Sequence, residues 1–258
     1  MADWNPESYA RFGGLRLRPA LDLLAQVHLT AQGDVIDLGC GNGLVAGALR
    51  ARAQGRRLIG VDTSPAMLKA ASGTAAYSRL VQADARAWMP ERPPAMIFSN
   101  ALVHWLDDHE TLLRRLAGFL APGGILAVQM PRQHGAPSHR FLRDFAAEMF
   151  PDRFDFTDWE PPVAAPAEYH RMLAPLGLPD VWQTDYVQRL GKVKHGHPVR
   201  RFTEPTAMRP FLEQLTEDEA GAYIARYDAA LAAAYPLAED GSVLFPFRRV
   251  FFTLTVPG

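Results

Sequence analysis

The chain has 258 residues, of which 48% are hydrophobic and 21% charged, with a formal net charge of −1. That composition excludes a disordered chain, and the balanced charge argues against a nucleic-acid partner. Lys69, Lys192 and Lys194 are the only lysines among 27 basic residues. Arginine richness is therefore a compositional bias, and only an arginine in a specific setting is given a role. The single cysteine, Cys40, permits neither an intramolecular disulfide nor a multi-cysteine metal site. The histidines lack paired ligand spacing, so no metal is expected. No leader of the basic-then-apolar kind opens the chain, and no apolar run approaches the roughly 20 residues of a membrane span. These features predict a cytoplasmic protein with no membrane partner.

The chain begins with a helical pattern over 3–29, where Asn5 can cap and Pro6 suits the first turn. Gly13 and Gly14 are expected to split it, leaving a second piece from Pro19 to Val27. A short apolar run, 34–38, ends in the glycine turn 39–43, and a helix pattern follows over 44–50. A second strand is predicted over 57–62, with Thr63 or Ser64 capping a helix that starts at Pro65. A third strand near 78–82 stops before Asp84, and a fourth, 95–99, stops before Asn100. Asp107 or Asp108 caps a helix over 110–120, and Ile125–Met130 is a fifth strand.

Five short apolar strands alternating with helices predict a mostly parallel sheet covered on both faces, a Rossmann-like α/β fold. Beyond Pro131 the pattern changes. A helix over 138–150 precedes a proline-rich aromatic stretch over 151–166. Strands near 180–190 and 249–256 flank a segment whose 206–235 stretch holds two helices. These last strands complete a seven-stranded sheet with an antiparallel edge. The expected organisation is a helical lid over 1–29 and a ligand-binding core over 30–131, completed by the last two strands. A substrate cap is expected over 132–175 and 191–246.

The glycine turn, Asp37-Leu-Gly-Cys-Gly-Asn-Gly43, lets the backbone turn tightly and approach a ligand. Gly41–Ala46 also fits G-x-G-x-x-A, a dinucleotide fingerprint. Charge argues against that fit, because a pyrophosphate would sit beside Asp37. The same carboxylate suits a cation, and S-adenosylmethionine carries a sulfonium and an ammonium with no phosphate. Asp62, nineteen residues past Gly43 at the end of the second strand, can accept both ribose hydroxyl protons. Asp84 at the third strand's end can accept from the adenine amino group. Asn100 ends the fourth, at the edge where open α/β sheets bind ligands. Gly39, Gly41, Thr63 and Ala85 flank these positions and complete the expected cofactor set. Cys40 is read as a packing residue.

These residues resemble the class I S-adenosylmethionine-dependent methyltransferases over about 30–131. Asp3-Trp-Asn-Pro6 with Tyr9, Arg16-Leu-Arg-Pro19, Asn100-Ala101 with Trp105-Leu106, Val181–Tyr186, Arg209–Leu212 and Phe245-Pro246 are similar in their order to the trans-aconitate 2-methyltransferase family. The likeness spans nearly the whole chain. It departs at Arg132-Gln133, where the family has Asp-Asn, at His104, where it has Gln, and in the His/Arg-rich run 192–205. The resemblance implies methyl ester formation on a small polycarboxylic acid.

A carboxylate acceptor is already ionised at neutral pH and needs no general base. The remaining carboxylates call for fixed cations, and arginine binds them through paired hydrogen bonds. Arg209, just before Pro210, is the first candidate, followed by Arg248 or Arg249. Arg18 is a candidate for the cofactor carboxylate. Tyr9, Trp105, His134 and Tyr169 are candidate pocket residues. Three other readings remain: a phenol or hydroxyl acceptor with His104 as base, an NAD-dependent oxidoreductase using the same turn, and a cofactor-binding protein without catalysis.

Overall fold

A computed structural model describes residues 13–258. Tyr9 and the motif around Trp4 lie outside the described residues. Among the described residues, no helix is long and apolar enough to cross a membrane.

The first described element, α1, runs Gly13–Ala25, and Pro19 lies inside it; the stretch before Gly13, on which the expected break depends, lies outside the described residues. There follow β1 (Val35–Leu38), α2 (Ala46–Arg52), β2 (Leu58–Asp62), α3 (Pro65–Ser72), β3 (Arg79–Gln82), β4 (Met96–Asn100), α4 (His109–Phe119) and β5 (Ile125–Pro131). The caps follow side-chain chemistry. Ser64, rather than Thr63, accepts from the Met67 N–H at 3.1 Å, with Pro65 opening α3. Asp108 accepts from Thr111 N–H at 3.2 Å and starts α4.

The later elements are α5 (Pro137–Met149), α6 (Pro166–Leu173), β6 (Leu178–Leu190), α7 (Pro198–Thr203), α8 (Arg209–Leu212), α9 (Glu217–Ala234) and β7 (Val243–Thr255). The seven strands form one sheet in the order β3-β2-β1-β4-β5-β7-β6. The first five are parallel, and β7 runs antiparallel to β5, pairing Gln129 with Phe251 and Pro131 with Arg249. Parallel strands covered on both faces read as continuous apolar runs, and β1 is buried at all four positions.

The chain divides into two compact units. The first comprises 1–131, 162–184 and 249–258, and the second 132–161 and 185–248. The first unit's core joins Ile36, Leu38, Ile59, Val61, Ile97, Leu126 and Val128 from the sheet to Leu112, Leu116, Tyr169 and Leu173 from helices. In the second unit, Tyr223 and Tyr227 of α9 are fully buried. Their hydroxyls donate to the carbonyls of Leu142 and Ser138 at 2.7 and 2.6 Å. Those bonds satisfy groups that burial would otherwise leave costly.

Candidate active site

The carboxyl ends of β1, β2 and β4 bring the predicted polar residues to one edge of the sheet. At β1 the chain leaves Leu38 into Gly39, whose backbone is left-handed at φ +77°. A Cβ there would stand 2.7 Å from that of Leu102, so only glycine fits. The Gly39 and Cys40 N–H groups donate to the Val61 carbonyl at 2.8 and 3.0 Å and tie the turn to β2. Gly41, at φ +53°, differs: a Cβ would meet nothing within 4 Å. Its face is open, the space a ligand needs for close approach to the backbone.

Asp62 locks this turn. Its Oδ2 accepts from Gly41 N–H at 2.8 Å, and its Oδ1 accepts from Ser64 N–H at 2.9 Å. Each carboxylate oxygen keeps a second lone pair, so a fixed acceptor remains for two hydroxyl protons.

Asp37 is 3% exposed. Tyr77 donates its hydroxyl to Asp37 Oδ2 at 2.6 Å, and among the described residues no cation lies within ion-pair distance. Burial pushes the Asp37 carboxyl up to about 7, the Tyr77 bond opposes that, and nearby Asp62 adds to it. A cation beside this group would favour its ionised form. Burial next to Asp37 and Asp62 also pushes the Cys40 thiol far up, which keeps it a neutral packing residue.

Sequence spacing gave no sign of Tyr77, which lies forty residues from Asp37. The trace it leaves is two glycines. A Cβ on Gly60 would come within 2.9 Å of the Tyr77 ring, and one on Gly43 within 3.3 Å.

Asn100 ends β4, and Ala101 turns the chain at φ +57°, its N–H donating to the Gln129 carbonyl at 2.9 Å. Left-handed backbone at an alanine costs about 1 kcal/mol. Such strain clusters at ligand edges. The buried Asn100 Oδ1 has no hydrogen-bond partner among the described residues.

Asp84 is already engaged. Arg86 holds both its oxygens, and that pair keeps the carboxyl below its usual range. Ala85 is buried beside it, and its carbonyl accepts from Arg115. Thr63 is exposed, and its carbonyl accepts from Gln82 Nε2 at 3.2 Å.

The structure places the candidate arginines in different settings. Arg18 is 75% exposed and pairs with Asp22 one turn along α1. Arg209 is bound to Glu213 at 2.8 Å, so its charge is already matched on its own helix. Arg248 points outward and gives a two-pronged pair to Asp185 at 2.9 and 3.1 Å. The cause is register: β7 starts at Val243, not near 249, and alternation turns Arg248 out and Arg249 in. Arg249 is 5% exposed and donates to Gln129 Oε1 at 3.2 Å.

Tyr169 is a core residue rather than a pocket residue. It is fully buried, its hydroxyl lies 2.7 Å from His109 Nδ1, and its ring stacks on His109. His104 and Trp105 share the turn 103–105 with ring centroids 4.7 Å apart, and Trp105 is 46% exposed. In the second unit, His134 packs edge-on to Trp159, and the Arg143 guanidinium lies 3.7 Å over that same ring. Burial and the charges of Arg132 and Arg143 push His134 down to about 4, so it is neutral at pH 7.

A family model described as a methyltransferase domain matches residues 9–175. The trans-aconitate 2-methyltransferase of Methylobacterium radiotolerans is 42% identical over 97% of both chains. That of Escherichia coli O1:K1 / APEC is 38% identical, again over 97% of both. The chain belongs to the trans-aconitate 2-methyltransferase family. It is thus a methyltransferase, and its cofactor is S-adenosylmethionine. The dinucleotide reading of the glycine turn falls with this.

Solved structures share the fold. The YcgJ protein of Bacillus subtilis superposes with a TM-score of 0.58 at 16% identity, covering 93% of this chain and 99% of that one. Phosphoethanolamine N-methyltransferase 2 of Haemonchus contortus, determined in complex with S-adenosyl-L-methionine, gives 0.56 at 18% identity, covering 98% of this chain and 57% of its own. For a trans-aconitate 2-methyltransferase family member, the open Gly41 face, the fixed Asp62 acceptor and the buried Asp37 fit a cofactor with ribose hydroxyls and positive charge.

Proposed function

We propose that this protein transfers a methyl group from S-adenosylmethionine to a carboxylate of trans-aconitate or a close polycarboxylic relative. The observation that carries the proposal is the 42% identity to a trans-aconitate 2-methyltransferase along 97% of both chains, which spans both compact units. When bound, the cofactor supplies a methyl group on a cationic sulfur, an electrophile that an ionised carboxylate attacks without releasing a proton.

The residues then have limited tasks. Asp62 orients the ribose, Asp37 faces the positive charge, and Gly39 and Gly41 let the backbone come close. Asn100 lies next along the same edge. No side chain has to take a proton, so His104 is not required as a base. Rate comes from alignment and from exclusion of water around a weakly nucleophilic oxygen.

The experiment is incubation with methyl-labelled S-adenosylmethionine and a panel of trans-aconitate, cis-aconitate, citrate, isocitrate and simple phenols. Base-labile label on trans-aconitate is expected. Base-stable label on a phenol alone would replace the carboxylate reading by the His104 one.

A further inference from the structure

Three polar side chains cross the carboxyl edge of the first unit in a row: Asn100 of β4, Gln129 of β5 and Arg249 of β7. The register sets the row. Asn100 pairs with Gln129 across the parallel β4–β5 ladder, so the two side chains leave the same face. Gln129 and Pro131 pair with Phe251 and Arg249 across β5–β7, which puts Arg249 on that face as well.

The middle of the row is unusual for a sheet interior. Gln129 is 0% exposed, and its Oε1 accepts from Arg249 Nη1 at 3.2 Å. That bond fixes the amide orientation and turns Nε2 the other way. Buried, Nε2 has no hydrogen-bond partner among the described residues. A buried donor left unmatched is destabilising. Beside it lies a guanidinium that stays charged at any working pH and is 5% exposed. Two donor groups, one of them cationic, therefore share one face of the sheet at the edge where open α/β sheets bind ligands.

We propose that the Gln129–Arg249 pair is a carboxylate-binding subsite that holds an acceptor carboxylate not undergoing methylation. This rests on the polycarboxylate reading above. An anionic oxygen matches both donors and removes the unmatched amide. Asn100 Oδ1, an acceptor at the head of the row, complements a donor instead. The row thus passes from an acceptor-lined end near the glycine turn's strand to a donor-lined end beside β7. Gln129 acts here by binding and positioning, with no part in bond making.

The test uses the full-length protein and three assays: ester formation on trans-aconitate, calorimetry with S-adenosylmethionine, and thermal melting. Gln129→Met removes both amide atoms at nearly constant length, and Arg249→Lys keeps the charge but loses the planar fork. Each is expected to raise the KM for trans-aconitate about tenfold or more. The kcat should change less than threefold and the cofactor Kd less than twofold. A purely structural role would instead lower the melting temperature and weaken both ligands together.

An unchanged acid KM in both variants would overturn the subsite while leaving the methyltransferase reading intact. A weakened cofactor Kd with an unchanged acid KM would also overturn it, because the pair would then be reading the cofactor's own carboxylate. If Gln129→Met does not bind cofactor at all, Arg249→Lys decides. If the wild-type protein forms no ester on any acid of the panel, the acceptor reading fails and takes the subsite with it.

Discussion

The two ends of strand β1 each hold a buried aspartate, three residues apart, in opposite electrostatic settings. Asp34, just before Val35, is 4% exposed and receives paired bonds from two arginines: Arg57 at 3.0 and 2.7 Å, and Arg92 at 3.1 and 3.0 Å. These guanidiniums hold its carboxyl below the usual range. Asp37, at 3% exposure, has the Tyr77 hydroxyl as its side-chain partner, and its carboxyl rises to about 7. Asp34 is complete within the chain and fastens β1 to the segments around it. Asp37 has no cation within ion-pair distance among the described residues, which is what supports the proposal that it faces the cofactor's positive charge. Burial alone does not separate a structural carboxylate from a binding one; the charge of its partner does.

Replacing each aspartate should separate the two roles. Asp37→Asn keeps shape and removes charge, and should weaken S-adenosylmethionine binding about 100-fold by calorimetry at pH 8. The same change should raise the ligand-free melting temperature at that pH, because an ionised carboxylate is no longer buried. Asp34→Ala should do the reverse. It should cost about 2 kcal/mol in denaturant unfolding, a figure kept low because both arginines are half exposed, and leave cofactor affinity unchanged.

Acid and base should also distinguish them. Between the ordinary carboxylate value of 3.8 and its folded value of about 7, Asp37 holds a proton in the folded chain that the unfolded chain has released. Its contribution to ligand-free stability therefore falls as pH rises through that window. Asp34, with a depressed folded value, contributes stability above 3.8 that is lost as pH falls through its folded value. Cofactor affinity should rise about tenfold from pH 6 to pH 8 as the Asp37 carboxyl ionises. The smallest change expected is that of Tyr77→Phe. It removes the one bond that lowers the Asp37 carboxyl, so the affinity profile should move to higher pH with a loss of a few-fold at pH 7.

The edge of the sheet was legible because the polar residues there lie at or next to the ends of short strands: Asp37 one residue before the end of β1, Asp62 after Gly60-Val61, and Asn100 after Phe98-Ser99. Local pattern carries that information. Tyr77 was not legible, since nothing local ties it to a carboxylate forty residues away. The choice between Arg248 and Arg249 was hidden by Pro246. A proline in an apolar stretch reads as a loop, yet here it sits at an exposed position inside β7, and the strand's parity was lost with its start. Tyr169 carries a local sign of packing in the sequence. Pro166 opens a helix, and Glu168 returns to the Ala165 N–H at 2.7 Å, which places Tyr169 on a packed helix rather than in a loop.

The most direct measurement is the S-adenosylmethionine Kd of the wild-type protein and of Asp37→Asn, taken by calorimetry from pH 6 to pH 8. A wild-type affinity that climbs about tenfold across that range, beside a weak and flat profile for the variant, is the predicted result. The same pH dependence in both proteins, or equal affinity at pH 8, would contradict Asp37 as the group that answers the cofactor's positive charge.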